Sequence, residues 1–335
     1  MTNRFAMIFM AAVVVVCGIC IIRSLRANEV TSTREIGASS YSENEEQINE
    51  CLIGTEYDNE SDAEDLEDDN AYADLDKEIE ENSKLDTAEL LEYLDDAERF
   101  DETYMKLVEL SANYPLAKTI LLERVRIPSS LIEFAANRPE TMPYVVDYLK
   151  YGTEEGVAST SININSDYQE GDIPLFIQWD KRWGYVPYGD ELMGTAGCGP
   201  TCLAMVAVGL TGDESINPLE VAELSLKEEY YFPGQGTSWA LMTEGAEKLG
   251  IQGEEIGLDE NTIRKCLAQG KPIIASMKPG HFTQGGHFIV LAGLDDDGSV
   301  IVNDPASKLN SDITWNMDII LPEIKNLWAY STESK

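Results

Sequence analysis

The sequence predicts an α+β domain over residues 172–335, and three features of residue order predict it. An apolar, helix-forming run follows Gly197-Cys198-Gly-Pro200. Three more helix signals come next, and only then come apolar strand-like runs bounded by Gly, Asp and Pro. Helices first and antiparallel strands afterwards is an α+β order, and the segment is long enough to bury its own core.

Each element has a local reason. Pro200 suits the first turn of a helix, where its missing N–H costs nothing, and the run continues through Cys202-Leu-Ala-Met-Val-Ala-Val208. Asn217-Pro-Leu-Glu220 opens a second helix. Gly236-Thr-Ser-Trp-Ala-Leu-Met242 leads into another that ends at Leu249-Gly250. Asp259 caps a further helix from Glu260 to Ala268, closed by Gly270. Lys271-Pro-Ile-Ile-Ala-Ser-Met277 is the first strong strand. Gly286-His287-Phe-Ile-Val-Leu begins a second, Asp295-Asp-Asp-Gly298 makes a hairpin turn, and Ser299-Val-Ile-Val-Asn303 returns before Pro305.

The first half divides by composition. In residues 1–27 an uncharged apolar run at 5–22 lies between Arg4 and Arg23, long enough for a membrane-spanning signal anchor. A cleaved signal peptide is the competing reading, but no good small-x-small site follows Ile22, so the anchor is favoured. Basic residues flank both ends and leave orientation open; the signal-like start favours export, with the remaining chain outside the cell. Residues 28–84 are polar and strongly acidic, as in Asp62-Ala-Glu-Asp-Leu-Glu-Asp-Asp69, and read as a disordered, self-repelling spacer. Residues 85–151 read as a small α-helical accessory region. Asp86-Thr87 caps a helix carrying Leu90, Leu94 and Ala97, continued by Tyr104, Leu107 and Val108, and Pro115, Pro128, Pro139 and Pro143 punctuate the short apolar segments after it. That region reads as a spacer, an inhibitory pro-segment or a substrate-binding module. Residues 152–171, rich in Ser, Asn and Gly, read as a linker.

A net charge of −37 over 335 residues argues against nucleic-acid binding and against adhesion to an anionic membrane surface. With two histidines and scattered thiols, no zinc-ligand spacing appears, and no glycine-rich phosphate loop follows a strand, so neither metal nor cofactor is expected.

The chemistry concentrates in three residues. Cys198 stands at the start of a helix, where the dipole favours a thiolate, and Gly197 and Gly199 let the backbone turn sharply around it. A thiolate nucleophile needs a proton acceptor, and His287 begins a strand whose hairpin partner ends in Asn303-Asp304-Pro305. The hairpin brings Asp304 near His287, where a carboxylate fixes the tautomer and stabilises the imidazolium; Asn303 is the alternative third member. Cys202 and Cys266 read as inert helix thiols, and Trp183 and Trp239 as core residues. His281 reads as an exposed loop residue.

At these residues the chain resembles the bacteriocin-processing (double-glycine) peptidase-like branch of the papain-like cysteine peptidases. Gly197-Cys198-Gly-Pro-Thr, Gly286-His287-Phe-Ile-Val-Leu and Asn303-Asp304-Pro305 carry the resemblance, with Ile173-Pro-Leu-Phe-Ile-Gln178-Trp upstream. It covers roughly the last half of the chain. It implies a papain-like fold, and it implies that Gln178 helps to form an oxyanion hole. The expectation is therefore an exported, membrane-anchored cysteine peptidase acting on a peptide or protein substrate, with Cys198, His287, Asp304 and Gln178 as its site. The alternatives are a non-catalytic surface scaffold that keeps the fold, and a cell-wall peptide amidase or transpeptidase.

Overall fold

The computed structural model describes residues 69–152 and 162–332, all within one unit, Leu66–Lys335. The expected anchor at 1–27 lies outside the described residues, as does most of the acidic spacer. Among the described residues no helix is long and apolar enough to cross a membrane.

The first half of this unit is helical: α1 (Asp69–Asn82), α2 (Thr87–Tyr93), α3 (Glu102–Leu110), α4 (Leu116–Leu122), α5 (Ser129–Asn137) and α6 (Met142–Tyr151). Two expectations change here. The end of the acidic stretch assigned to a spacer forms α1 and brings Leu75 into the helical core. The single helix expected from Asp86 through Val108 is broken in two. Asp86 caps α2 in a reciprocal box with Glu89, but the side chains of Asp95 and Asp101 then accept from the backbone N–H groups ahead of them, and Asp101 starts α3. Aspartate offers the backbone an alternative to helix continuation, and here it does so twice.

The second half is mixed helix and antiparallel sheet, an α+β arrangement. Its central helix α8 (Cys198–Thr211) follows the short α7 (Met193–Ala196) and ends at Gly212, whose left-handed φ of 69° makes the C-cap. From Gly199 to Val208 every residue of α8 is buried, because α9 (Pro218–Lys227) covers one side and the sheet the other. Four short strands, β1 (Pro187–Tyr188), β2 (Glu191–Leu192), β3 (Tyr231–Phe232) and β4 (Gly236–Thr237), pair as two separate ribbons, β1 with β2 and β3 with β4, and the helices α10 (Ala246–Lys248) and α11 (Glu260–Ala268) follow α9. Six strands form the main sheet in the order β5-β10-β6-β7-β8-β9: β5 (Ile251–Glu255), β6 (Ile273–Met277), β7 (His287–Leu294), β8 (Val300–Asn303), β9 (Thr314–Trp315) and β10 (Ile324–Thr332). β5 precedes the run expected to be the first strand; it is a mostly polar edge strand, so its pattern is weak. β10 carries the buried run Leu327-Trp-Ala-Tyr330 between β5 and β6. The β7–β8 hairpin turns at Asp295–Gly298, where the Asp295 carboxylate accepts from the Asp297 and Ser299 N–H groups and Gly298 has φ 81°.

The two halves share a core. Leu131, Tyr144, Val145 and Leu149 of the helical region pack in one cluster with Ile177, Trp179 and Tyr185. Tyr144 stacks on Tyr185 at a centroid distance of 4.5 Å, and its hydroxyl donates to the Gly184 carbonyl at 2.7 Å. Residues 162–171, expected as linker, are also partly packed: Ile164 is buried in the second-half core, and Arg182 binds Asp167 and the Asn163 carbonyl.

Gly194 is small because Tyr144 is there: a Cβ on Gly194 would lie 2.1 Å from the Tyr144 hydroxyl oxygen. Gly194→Ala is therefore expected to cost about 1–3 kcal/mol through overpacking. Tyr144→Phe, which loses one hydrogen bond, should cost about 1 kcal/mol. Urea unfolding of both variants checks this, and a Gly194→Ala protein as stable as the parent would contradict the packing described.

Candidate active site

Cys198 is the first residue of α8, so its amide belongs to a turn whose N–H groups have no intrahelical acceptor. The sharp turn expected of Gly197 and Gly199 is not why they are glycines, since neither has positive φ. Space is the reason. A Cβ on Gly197 would meet the Met193 carbonyl oxygen at 2.5 Å, and one on Gly199 would meet the Thr237 side chain at 2.8 Å. The helix start is pressed between α7 and β4 (Gly236–Thr237), and Cys198 as a residue is half-buried there.

His287 is the first residue of β7. The register of the hairpin sets Val290 opposite Asn303, so the end of β8 runs back beside the start of β7. His287 Nε2 lies 2.7 Å from Asp304 Oδ1, with Asp304 fully buried. Nδ1 is then the ring nitrogen left for Cys198, which is near enough for its charge and that of His287 to act on each other. Asn303 points elsewhere: its Nδ2 donates to the carbonyls of Ile173 and Pro174, at 3.1 and 3.0 Å. Of the two alternatives for the third position, the structure sets Asp304 against the imidazole and uses Asn303 to tie down the segment that leads to Gln178.

Gln178 is buried on that segment. Its backbone N–H donates to the Pro305 carbonyl at 2.7 Å, and its Nε2 donates to the Gly194 carbonyl at 2.8 Å. An amide nitrogen carries two hydrogens, so one N–H remains for another acceptor. Oε1 has no hydrogen-bond partner among the described residues. A cleft of about 500 Å³ opens at Gln178 and His287. Phe134, Asn137 and Arg138 of the helical region line one side, and Tyr231, Gly234 and Gly236 line another.

The charges are mutually supporting. Burial pushes the Cys198 thiol up, but the hydrogen bond and charge of His287, with backbone hydrogen bonds from Phe288 and Gly199, hold it below its ordinary value. Burial would push His287 down; the charge and hydrogen bond of Asp304, then Cys198, raise it to about 9. Burial raises Asp304, and His287, Arg138 and Asn310 together bring it below the usual carboxylate value. The arrangement can hold a thiolate beside an imidazolium at neutral pH. Cys202, one turn along and fully buried, goes the other way, well above an ordinary thiol.

Other expected residues fall outside this group. His281 lies in the cleft wall, bound to the Glu323 carboxylate through its backbone N–H at 2.8 Å and through Nδ1. Cys266 is half-buried rather than buried, and Trp239 is exposed, edge-on to Trp328 at 5.4 Å, rather than core. Sequence reasoning missed three residues at the site. Arg138 Nη1 is 3.8 Å from Asp304 Oδ2, Asn310 Nδ2 donates to the same oxygen at 2.8 Å, and Glu140 accepts from the loop beyond Asp304. No motif marks them; Arg138-Pro139-Glu140 reads as an ordinary inter-helix turn.

Because the chain has two histidines, His287 can be followed by imidazole NMR with His281 as the internal comparison. His287 should stay protonated through neutrality and lose its proton near pH 9. In Asp304→Asn the opposing carboxylate is gone and only Cys198 still works against burial, so the ring should titrate well below the parent, towards its ordinary value of about 6.5. A parent His287 that titrates near that ordinary value would contradict the pairing.

Residues 170–335 match the family described as the Peptidase_C39 like family. No curated protein matches the chain. The papain-like assignment of the fold rests on that match. This half of the protein is a cysteine peptidase-like domain, similar to the Peptidase_C39 like family.

Proposed function

We propose that the protein is a cysteine peptidase that cleaves peptide bonds through a thioacyl-enzyme intermediate. One observation carries the reading: a buried carboxylate lies 2.7 Å from an imidazole, and a helix-start thiol is near enough to that imidazole for the charge of each to act on the other. The match to a peptidase family supports the same class of reaction.

In this reading the Cys198 thiolate attacks the scissile carbonyl carbon, a C–S bond forms, and the carbonyl electrons move onto oxygen. The Cys198 N–H and the second N–H of Gln178 Nε2 hold that oxyanion. His287 gives its Nδ1 proton to the departing amine as the C–N bond breaks, then takes a proton from water, which attacks the thioester and frees Cys198. Asp304 holds Nε2 throughout, so the ring presents Nδ1 to the chemistry. The apolar run at 5–22 supports a location at the cell membrane, with the catalytic half outside.

A mixture of unstructured peptides incubated with the protein and read by mass spectrometry tests this. Cleavage is expected, abolished in Cys198→Ala and reduced about 10²–10³-fold in kcat in Gln178→Ala. Cleavage that survives in Cys198→Ala would defeat the reading. So would a parent protein that cleaves no peptide and forms no acyl adduct on Cys198.

A further inference from the structure

The helical region reaches the site at one turn. Arg138 is the C-cap of α5 and is followed by a 3₁₀ turn, Pro139–Thr141. The Thr141 N–H and hydroxyl both donate to the Arg138 carbonyl, at 2.9 and 2.8 Å, which fixes the turn and the direction of its side chains. From it the Arg138 guanidinium runs between two loops of the other half. Nη2 donates to the Phe282 carbonyl, and Nη1 lies 3.8 Å from Asp304 Oδ2. Two residues on, the Glu140 carboxylate accepts from the Ser307 hydroxyl and from the N–H groups of Lys308, at 3.0 Å, and Leu309, at 3.3 Å. Lys308 opens α12 (Lys308–Ser311), the short helix whose Asn310 and Ser311 side chains return to Asp304.

Asp304 is thus held from both sides. Its Oδ1 faces His287 and also accepts from the Ala306 N–H at 2.9 Å. Its Oδ2 faces Asn310 and Arg138. A carboxylate with no solvent exposure needs such partners to stay ionised, and Arg138 is the one cation near it besides the His287 ring among the described residues. We propose that Arg138 is a positioning residue, which keeps the Asp304 carboxylate aimed at His287, and that the helical region is therefore a working part of the candidate active site. A cleavable pro-segment would occlude the cleft and leave the triad intact when removed. This region lines the cleft through Phe134 and Asn137, but it also supports the acid member from behind.

The inference rests on the peptidase reading of this site, and the test separates the two. The full chain is alkylated with iodoacetamide over a range of pH, and labelling of Cys198 is followed by mass spectrometry. In the parent, labelling should begin well below the ordinary thiol range. In Arg138→Met and Arg138→Gln the acid limb should move up by about one pH unit, because Asp304 takes a proton more readily without the neighbouring cation. Arg138→Lys, which keeps the charge, should restore most of the parent limb. A purely structural contact would change the unfolding midpoint without moving this limb. Limbs in the uncharged variants that coincide with the parent overturn the proposal. So does failure of both uncharged variants to fold, since that assigns Arg138 to the fold. If the parent itself labels Cys198 only as an ordinary thiol, the peptidase reading fails and takes this inference with it.

Discussion

Burying an ionised carboxylate costs several kcal/mol unless charges and hydrogen bonds replace the lost water, and Asp304 is buried completely. The neighbouring architecture is arranged around that cost. β7 supplies His287, the loop after β8 supplies the Ala306 N–H, α12 supplies Asn310, and the helical region supplies Arg138. Removing any one partner leaves the carboxylate with less compensation, so these segments depend on one another energetically even though they are far apart in the chain. The same constraint explains why Asn303, adjacent in sequence, faces the other way. It secures the strand-like segment at 173–174, and that segment in turn places Gln178.

The thiol presents the opposite problem. Its environment disfavours charge, and only the imidazolium and the backbone donors at the helix start make a thiolate tolerable. Cys202 shows what the surroundings do to a thiol without those partners: one turn further along α8 the shift reverses. Two cysteines four residues apart therefore differ in chemistry because one has a histidine and a helix start beside it, while the other is buried with no such partner and with Cys198 and Asp304 adding negative charge nearby. The tightness of the helix start follows from the same design. Gly194, Gly197 and Gly199 leave room for Tyr144, Met193 and Thr237, which pack directly against the backbone there.

Much of this was legible in the sequence because the relevant signals are local. The turn Asp295-Asp-Asp-Gly298 lies between two apolar strands, and it alone implies that residues just before β7 and just after β8 are neighbours. Gly-Cys-Gly-Pro announces a helix start by its backbone chemistry. The helix caps at Asp86, Asn217 and Asp259 are short-range for the same reason. The features that could not be read depend on distant contacts. Arg138 and Asp304 are distant in the chain and meet only where the helical region packs on the second half, a contact that no periodicity reports. α1 is built from a stretch whose charge suggested disorder, yet Leu75 finds a core in α-helical neighbours. The split of the expected long helix turned on two aspartates whose side chains could either face water or cap the backbone.

In the proposed site Cys198 and His287 share a proton in favour of the ion pair. Thiolate absorbs in the ultraviolet where thiol does not, so the difference spectrum between the parent and Cys198→Ala reads that one sulfur directly as pH is raised. A thiolate signal is expected already at neutral pH in the parent and should be lost in His287→Ala. A signal that appears only in the alkaline range of an ordinary cysteine, or that is unchanged in His287→Ala, would contradict it.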